Sequence, residues 1–145
     1  MNTVSTAAVA PQSNIQYRIA GSDLQYVESA LLPGAEVVGE PGAMLYMDEG
    51  VEQSTVLGDG SDKNVLRRLF DSIKRSFTGE SMFSVVYRNP LQSPARIAFA
   101  TPTIGKILAI DLASCGGSLI CQKGAFLAAE RGVQLSIAWT KKLRV

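Results

Sequence analysis

The sequence has 145 residues, 46% hydrophobic and 19% charged, with a formal net charge of +1. That balance fits one folded domain with a core rather than a disordered chain, and no apolar run is long enough to span a bilayer as a helix. Histidine is absent and cysteine occurs twice, which excludes His-centred triads, His-ligated zinc and an all-thiolate zinc site, so neither metal nor cofactor is expected.

Residues 1–14 are small and polar (Thr3, Ser5, Thr6, Pro11, Ser13). They lack the basic start and apolar stretch of a secretory signal and the arginines of a mitochondrial presequence. They read as a disordered tail on a cytoplasmic protein, followed by a single β-rich domain over 15–145. Ile15, Tyr17 and Ile19 alternate with Gln16 and Arg18, the period-two signature of a strand with one apolar face. Further strands are expected at Leu24 to Glu28, Glu36 to Gly39, Ala43 to Met47 and Val51 to Leu57. Leu32-Pro33-Gly34 and Glu40-Pro41-Gly42 place Pro and Gly where the chain must reverse.

Gly58-Asp59-Gly60-Ser61 lacks the pattern of a phosphate-cradling loop, and Asp59 and Asp62 would repel an anion there. It reads as a linker into the one expected helix, 63–77, capped by Ser61 or Asp62 and ended by Gly79. Val65, Leu66, Leu69, Phe70, Ile73 and Phe77 share one face of that helix. Lys63, Arg67, Arg68, Lys74 and Arg75 occupy the opposite face together with Asp71. Two readings follow: a cover for one open end of the β structure with a solvated basic side, or a surface for a protein partner or anionic lipid.

Beyond the helix, strands are expected at Met82 to Arg88, Arg96 to Ala100, Ile107 to Asp111 and Leu119 to Gln122. A last one is expected where Val133, Leu135, Ile137 and Trp139 alternate with Gln134, Ser136, Ala138 and Thr140. Cys115 and Cys121 match no common redox spacing and read as small buried residues on neighbouring β segments. Many short strands separated by tight turns point to a sandwich or barrel.

The chain also resembles itself. At an offset of 82, Gly34, Gly42, Ala43, Leu45, Gly50, Val51 and Ser54 fall on Gly116, Gly124, Ala125, Leu127, Gly132, Val133 and Ser136. These are seven identities in twenty-one ungapped positions, several of them turn glycines. A two-fold internal repeat is therefore expected, with copies near 34–57 and 116–139 and the helix between them.

Charge divides the chain as well. Residues 19–62 hold nine acidic and no basic residues, and residues 63–145 hold thirteen basic and four acidic ones. The halves can pair within one fold or between subunits.

No constellation for catalysis is visible. Asp48, Glu49 and Glu52 cluster at a Gly-Val turn, but their repeat equivalents are Glu130, Arg131 and Gln134. A position that accepts either sign reads as an exposed turn rather than an acid/base pair. Nucleic acid is a poor fit, because aromatic platforms amid the basic residues are few and Trp139 lies on the apolar side of its strand.

Leu32-Pro33-Gly34-Ala35-Glu36, Glu40-Pro41-Gly42-Ala43-Met44, Phe77-Thr78-Gly79-Glu80-Ser81 and Gly124-Ala125-Phe126-Leu127-Ala128 together resemble the altered-inheritance-of-mitochondria family, over about Ile15 to Lys142. The resemblance implies a β-sandwich or β-helix-like fold similar to the tryptophan-sensing RNA-binding attenuation protein. It also implies homo-oligomers, trimers or larger rings, and a scaffold role like that of eukaryotic relatives linked to inner-membrane organisation. It carries over no catalytic or ligand residues. Members of that family usually run on beyond the position of Arg144, so an edge or apolar face left to be covered, as by another subunit, is expected in this chain.

The expected function is a non-catalytic oligomeric scaffold or partner-binding protein. The alternatives are a membrane-surface adaptor acting through the basic helix, RNA binding by an oligomeric ring and, last, an enzyme.

Overall fold

A computed structural model describes residues 15–57, 83–101, 103–122 and 124–135. Eight strands lie in this part of the chain: β1 (Ile15–Ala20), β2 (Tyr26–Leu31), β3 (Glu36–Gly39), β4 (Met44–Met47), β5 (Glu52–Leu57), β6 (Phe83–Arg88), β7 (Ala95–Ala100) and β8 (Ala128–Glu130). They form two four-stranded antiparallel sheets, one ordered β1-β2-β7-β4 and the other β5-β6-β3-β8. The fold is mainly β, as composition and alternation lead one to expect.

Alternation explains which side of each strand faces the interior. In β2, Ser29 and Leu31 are buried, and in β7 Ala95, Ile97 and Phe99 are buried while Arg96 is exposed. β3 differs, because Val37, Val38 and Gly39 are all buried. It lies between β6 and β8, so it has no free edge, and a short apolar run fits a strand covered on all sides.

The two sheets contribute to one core. Leu31, Ile97 and Phe99 from the first pack with Val37 and Tyr87 from the second. Tyr87 and Phe99 meet edge to face with ring centroids 5.5 Å apart. Gly39 makes this packing possible, since a Cβ there would lie 2.6 Å from a Phe99 ring carbon and 3.1 Å from one of Tyr87.

Turns follow the Pro-Gly chemistry. In Leu32-Pro33-Gly34-Ala35 the Ala35 N–H donates to the Leu32 carbonyl at 2.9 Å, and Gly34 has a φ of 79°. Pro at the second position and a left-handed Gly at the third are what a type II turn requires. Asn89, fully buried, secures the neighbouring loop. Its amide donates to the carbonyls of Leu31 and Ser93, both at 2.8 Å, and its side-chain oxygen accepts from the Leu91 N–H at 3.0 Å.

Several sequence expectations need correction. Ile107 to Asp111 and Leu119 to Gln122 have strand-like composition but join no sheet. A strand exists only where a neighbouring backbone completes its hydrogen bonds, and these segments have no such neighbour among the described residues. Val133 to Leu135, the described part of the last expected strand, form none, and its remainder, 136–140, lies outside the described residues; β3 pairs instead with Ala128–Glu130. Cys115 and Cys121 are exposed rather than buried, because their segments lie outside both sheets. The second strand begins at Tyr26, and Leu24 is 63% exposed. The expected helix 63–77, the 58–61 linker and Trp139 lie outside the described residues. Among those residues the only helical element is a 3-10 turn at Leu112–Cys115.

Candidate functional site

Two surfaces stand out, one polar and one apolar. The polar one is a row of side chains running across the outer side of the first sheet. β1 and β2 pair so that Arg18 lies opposite Glu28, and β2 and β7 pair Glu28 with Ala98. Ala98 in turn lies opposite Tyr46 of β4. Because Ala98 is small, the Tyr46 ring reaches over β7 to Glu28, a span of two strand spacings or about 10 Å.

Both Glu28 oxygens are engaged. One accepts from Arg18 Nε at 2.9 Å, and the other accepts from the Tyr46 hydroxyl. Beside them, Asp48 holds Arg96. The Arg96 backbone N–H donates to Asp48 Oδ2 at 2.8 Å, its Nε donates to the same oxygen at 3.2 Å, and a terminal nitrogen donates to Oδ1 at 3.0 Å. The Asp48 N–H returns a bond to the Arg96 carbonyl at 2.8 Å.

This saturation fixes the protonation states. The Tyr46 hydroxyl, and then Arg18, hold the Glu28 carboxyl below its ordinary range against the opposing effect of burial. The same bond to Glu28, helped by partial burial, pushes the Tyr46 hydroxyl up. The Arg96 side chain, followed by its backbone N–H, lowers Asp48. Near neutral pH the cluster therefore holds ionised, fully bonded carboxylates and a protonated phenol. That chemistry joins four strands and leaves no uncommitted base within the row.

Of these residues, sequence reasoning singled out only Asp48, as a solvated turn carboxylate. Its side chain is in fact one-third exposed and accepts three hydrogen bonds from Arg96. Arg18, Glu28, Tyr46 and Arg96 were missed. The one available signal was the placing of Arg18 and Glu28 at polar positions of adjacent strands. Glu49 and Glu52 are exposed, as expected. Lys63, Arg67, Arg68, Lys74 and Arg75 lie outside the described residues.

The apolar surface is on the segment 103–122. Ile104, Leu108, Ile110, Leu119 and Ile120 are exposed by 81, 77, 48, 45 and 77%. The segment is tethered at its start by a parallel bridge between Leu24 and Gly105 and by the Ile107 N–H donating to Gln25 Oε1 at 2.7 Å. Asp111 caps the 3-10 turn by accepting from the Ala113 N–H at 3.0 Å. A structured segment that displays large aliphatic side chains to water marks an interaction surface.

A shallow, open depression lined by Ile15, Gly34, Ala35, Glu36, Glu130 and Arg131 lies at the β3 end of the second sheet. Glu36 bridges Arg131 at 3.1 Å and Arg88 at 3.9 Å there. Among the described residues no three His, Cys, Asp or Glu side chains gather as a metal-binding group. No helix among them is long and apolar enough to cross a membrane.

Comparison with known proteins adds one finding. Residues 17–145 match the model of a family described as mitochondrial biogenesis AIM24. Among curated proteins there is no match.

Proposed function

The chain belongs to the AIM24 family, and from that premise we propose that it is a non-catalytic, cytoplasmic scaffold that works as a homo-oligomer, a trimer being the form the family resemblance favours. The two sheets then act as the layers of a β-sandwich, and the units at an offset of 82 as an internal repeat. The observation that carries the proposal is the exposed aliphatic series from Ile104 to Ile120. Side chains of this size stay exposed on a structured segment at a cost of about 25 cal/mol per Å² of apolar surface, and burial between subunits recovers it. The polar row supports the same reading, because its carboxylates and phenol are spent on holding strands together.

Sedimentation velocity on the full chain tests this. Concentration-dependent association at micromolar protein is expected. A monomer throughout would overturn the proposal. The membrane alternative rests on the basic 63–77 segment, and the RNA alternative on the basic second half of the chain, 63–145.

A further inference from the structure

We propose that a second copy of this chain lays its Ser118–Cys121 segment antiparallel along the free edge of β4, in the register by which β8 already pairs with β3. The inference rests on the oligomeric reading above and specifies how the copies join.

The starting point is a correspondence of backbone geometry at the offset of 82. The Ala43 N–H donates to the Glu40 carbonyl at 3.1 Å, and the Ala125 N–H donates to the Gln122 carbonyl at 3.1 Å. The Val51 N–H donates to the Asp48 carbonyl and the Val133 N–H to the Glu130 carbonyl, both at 3.3 Å. Gly42 and Gly124 have φ values of 87° and 79°, and Gly50 and Gly132 of 90° and 108°. Two stretches of chain thus make the same turns with the same bonds.

Between these stretches there is one junction. Val37, Val38 and Gly39 of the first pair with Glu130, Ala129 and Ala128 of the second. Two flanking bonds extend it, from the Glu40 N–H to the Leu127 carbonyl at 2.9 Å and from the Arg131 N–H to the Glu36 carbonyl at 3.3 Å. Shifting each partner by 82 in the appropriate direction gives the reciprocal junction, in which Leu119, Ile120 and Cys121 meet Asp48, Met47 and Tyr46.

Within the chain this reciprocal junction is not made. Among the described residues β4 ends its sheet, with β7 on one side and no strand on the other. No hydrogen bond there involves the backbone of 118–121. Exposure shows the consequence. Val37 and Val38 are 3 and 1% exposed, whereas their counterparts Leu119 and Ile120 are 45 and 77% exposed. The second stretch keeps the aliphatic side chains of a central strand without the neighbour that would bury them. A strand edge and a segment of matching register that both lack a partner among the described residues are complementary, and pairing them satisfies both sets of backbone groups. A second copy supplies both halves of this match.

Disulfide trapping reads the register directly. In the full chain carrying Tyr46→Cys and Cys115→Ser, the new thiol lies opposite native Cys121 of the neighbouring copy, with Cβ atoms about 5 Å apart. Mild oxidation is expected to give an intermolecular 46–121 disulfide identified by peptide mass spectrometry, and none from Leu45→Cys, which is out of register. Because Tyr46 also bonds Glu28, a second pair, Met47→Cys with Ile120→Cys and both native cysteines changed to Ser, repeats the test without touching that contact. In otherwise native chain, Ile120→Glu is expected to raise the dissociation constant at least about tenfold while leaving the circular dichroism unchanged. Chains that associate without either disulfide and ignore Ile120→Glu would overturn this register while sparing the oligomer. A disulfide formed within one chain would overturn the register too, and a strict monomer would overturn both.

Discussion

Gly39 and Asn89 show how single side chains hold this fold. Gly39 lies under the rings of Phe99 and Tyr87 with no room for a methyl group. Gly39→Ala should lower stability by about 1–3 kcal/mol, read by urea denaturation, and Phe99→Leu in the same chain should recover part of the loss. Asn89 answers two carbonyls and an N–H in a fully buried position. Asn89→Leu keeps the volume but strands all three groups, and should cost roughly 2–4 kcal/mol in the same measurement. A neutral result for Asn89→Leu would mean that water reaches those groups. Neither role could be seen in the sequence. A glycine in a short apolar run and an asparagine before a proline are ordinary at that level, and only the packed partners make them necessary.

At the scale of elements, the polar row depends on Ala98 as much as on the groups that bond. Ala98 is fully buried under the path from Tyr46 to Glu28. Ala98→Leu should lift the Tyr46 ring from Glu28, and an NMR titration should then show the Tyr46 hydroxyl returning toward its ordinary range. Most strands with a partner in the chain were legible from alternation and turn residues: Glu36–Gly39 was read with its observed limits and β1, β4, β5, β6 and β7 to within a residue, whereas β2 was placed two to three residues early and β8 was not read as a strand. What alternation does not carry is who pairs with whom. Ile107 to Asp111 and Leu119 to Gln122 have the residues of strands and were read as strands, yet they pair with no strand among the described residues. The cross-strand cluster Arg18–Glu28–Tyr46 was invisible for the same reason, since register across three pairings brings those residues together.

For the molecule as a whole, the acidic first half and basic second half meet inside one chain. Asp48–Arg96, Glu36–Arg88 and Glu36–Arg131 all cross that division. These pairs are partly exposed and individually weak. Glu28 and Asp48 sit below their ordinary values of 4.5 and 3.8 in the fold, so the unfolded chain binds more protons on the acid side. Their contribution is complete above about pH 5.5 and is lost as pH falls through the folded values. Tyr46 is raised above 10.0, so its contribution is complete below about pH 9 and is lost as pH rises through the folded value. Thermal unfolding across pH should therefore show a plateau between these limits. Tyr46→Phe should make both the alkaline and the acid fall shallower, the rest of the alkaline fall coming from Tyr87, whose hydroxyl burial also pushes up, and cost no more than about 1 kcal/mol on the plateau.

The central claim is that the chain is completed by another copy along β4 and 118–121. Hydrogen exchange at the Ile120 and Gln122 amides, which face β4 in this register while those of Leu119 and Cys121 face away, tests it most directly when followed as protein concentration rises. Among the described residues of a single chain these amides have no acceptor, so an isolated chain leaves them to fast exchange, whereas a ladder protects them. Protection should grow with concentration and disappear in Ile120→Glu. Exchange at the intrinsic rate at every concentration would contradict the account.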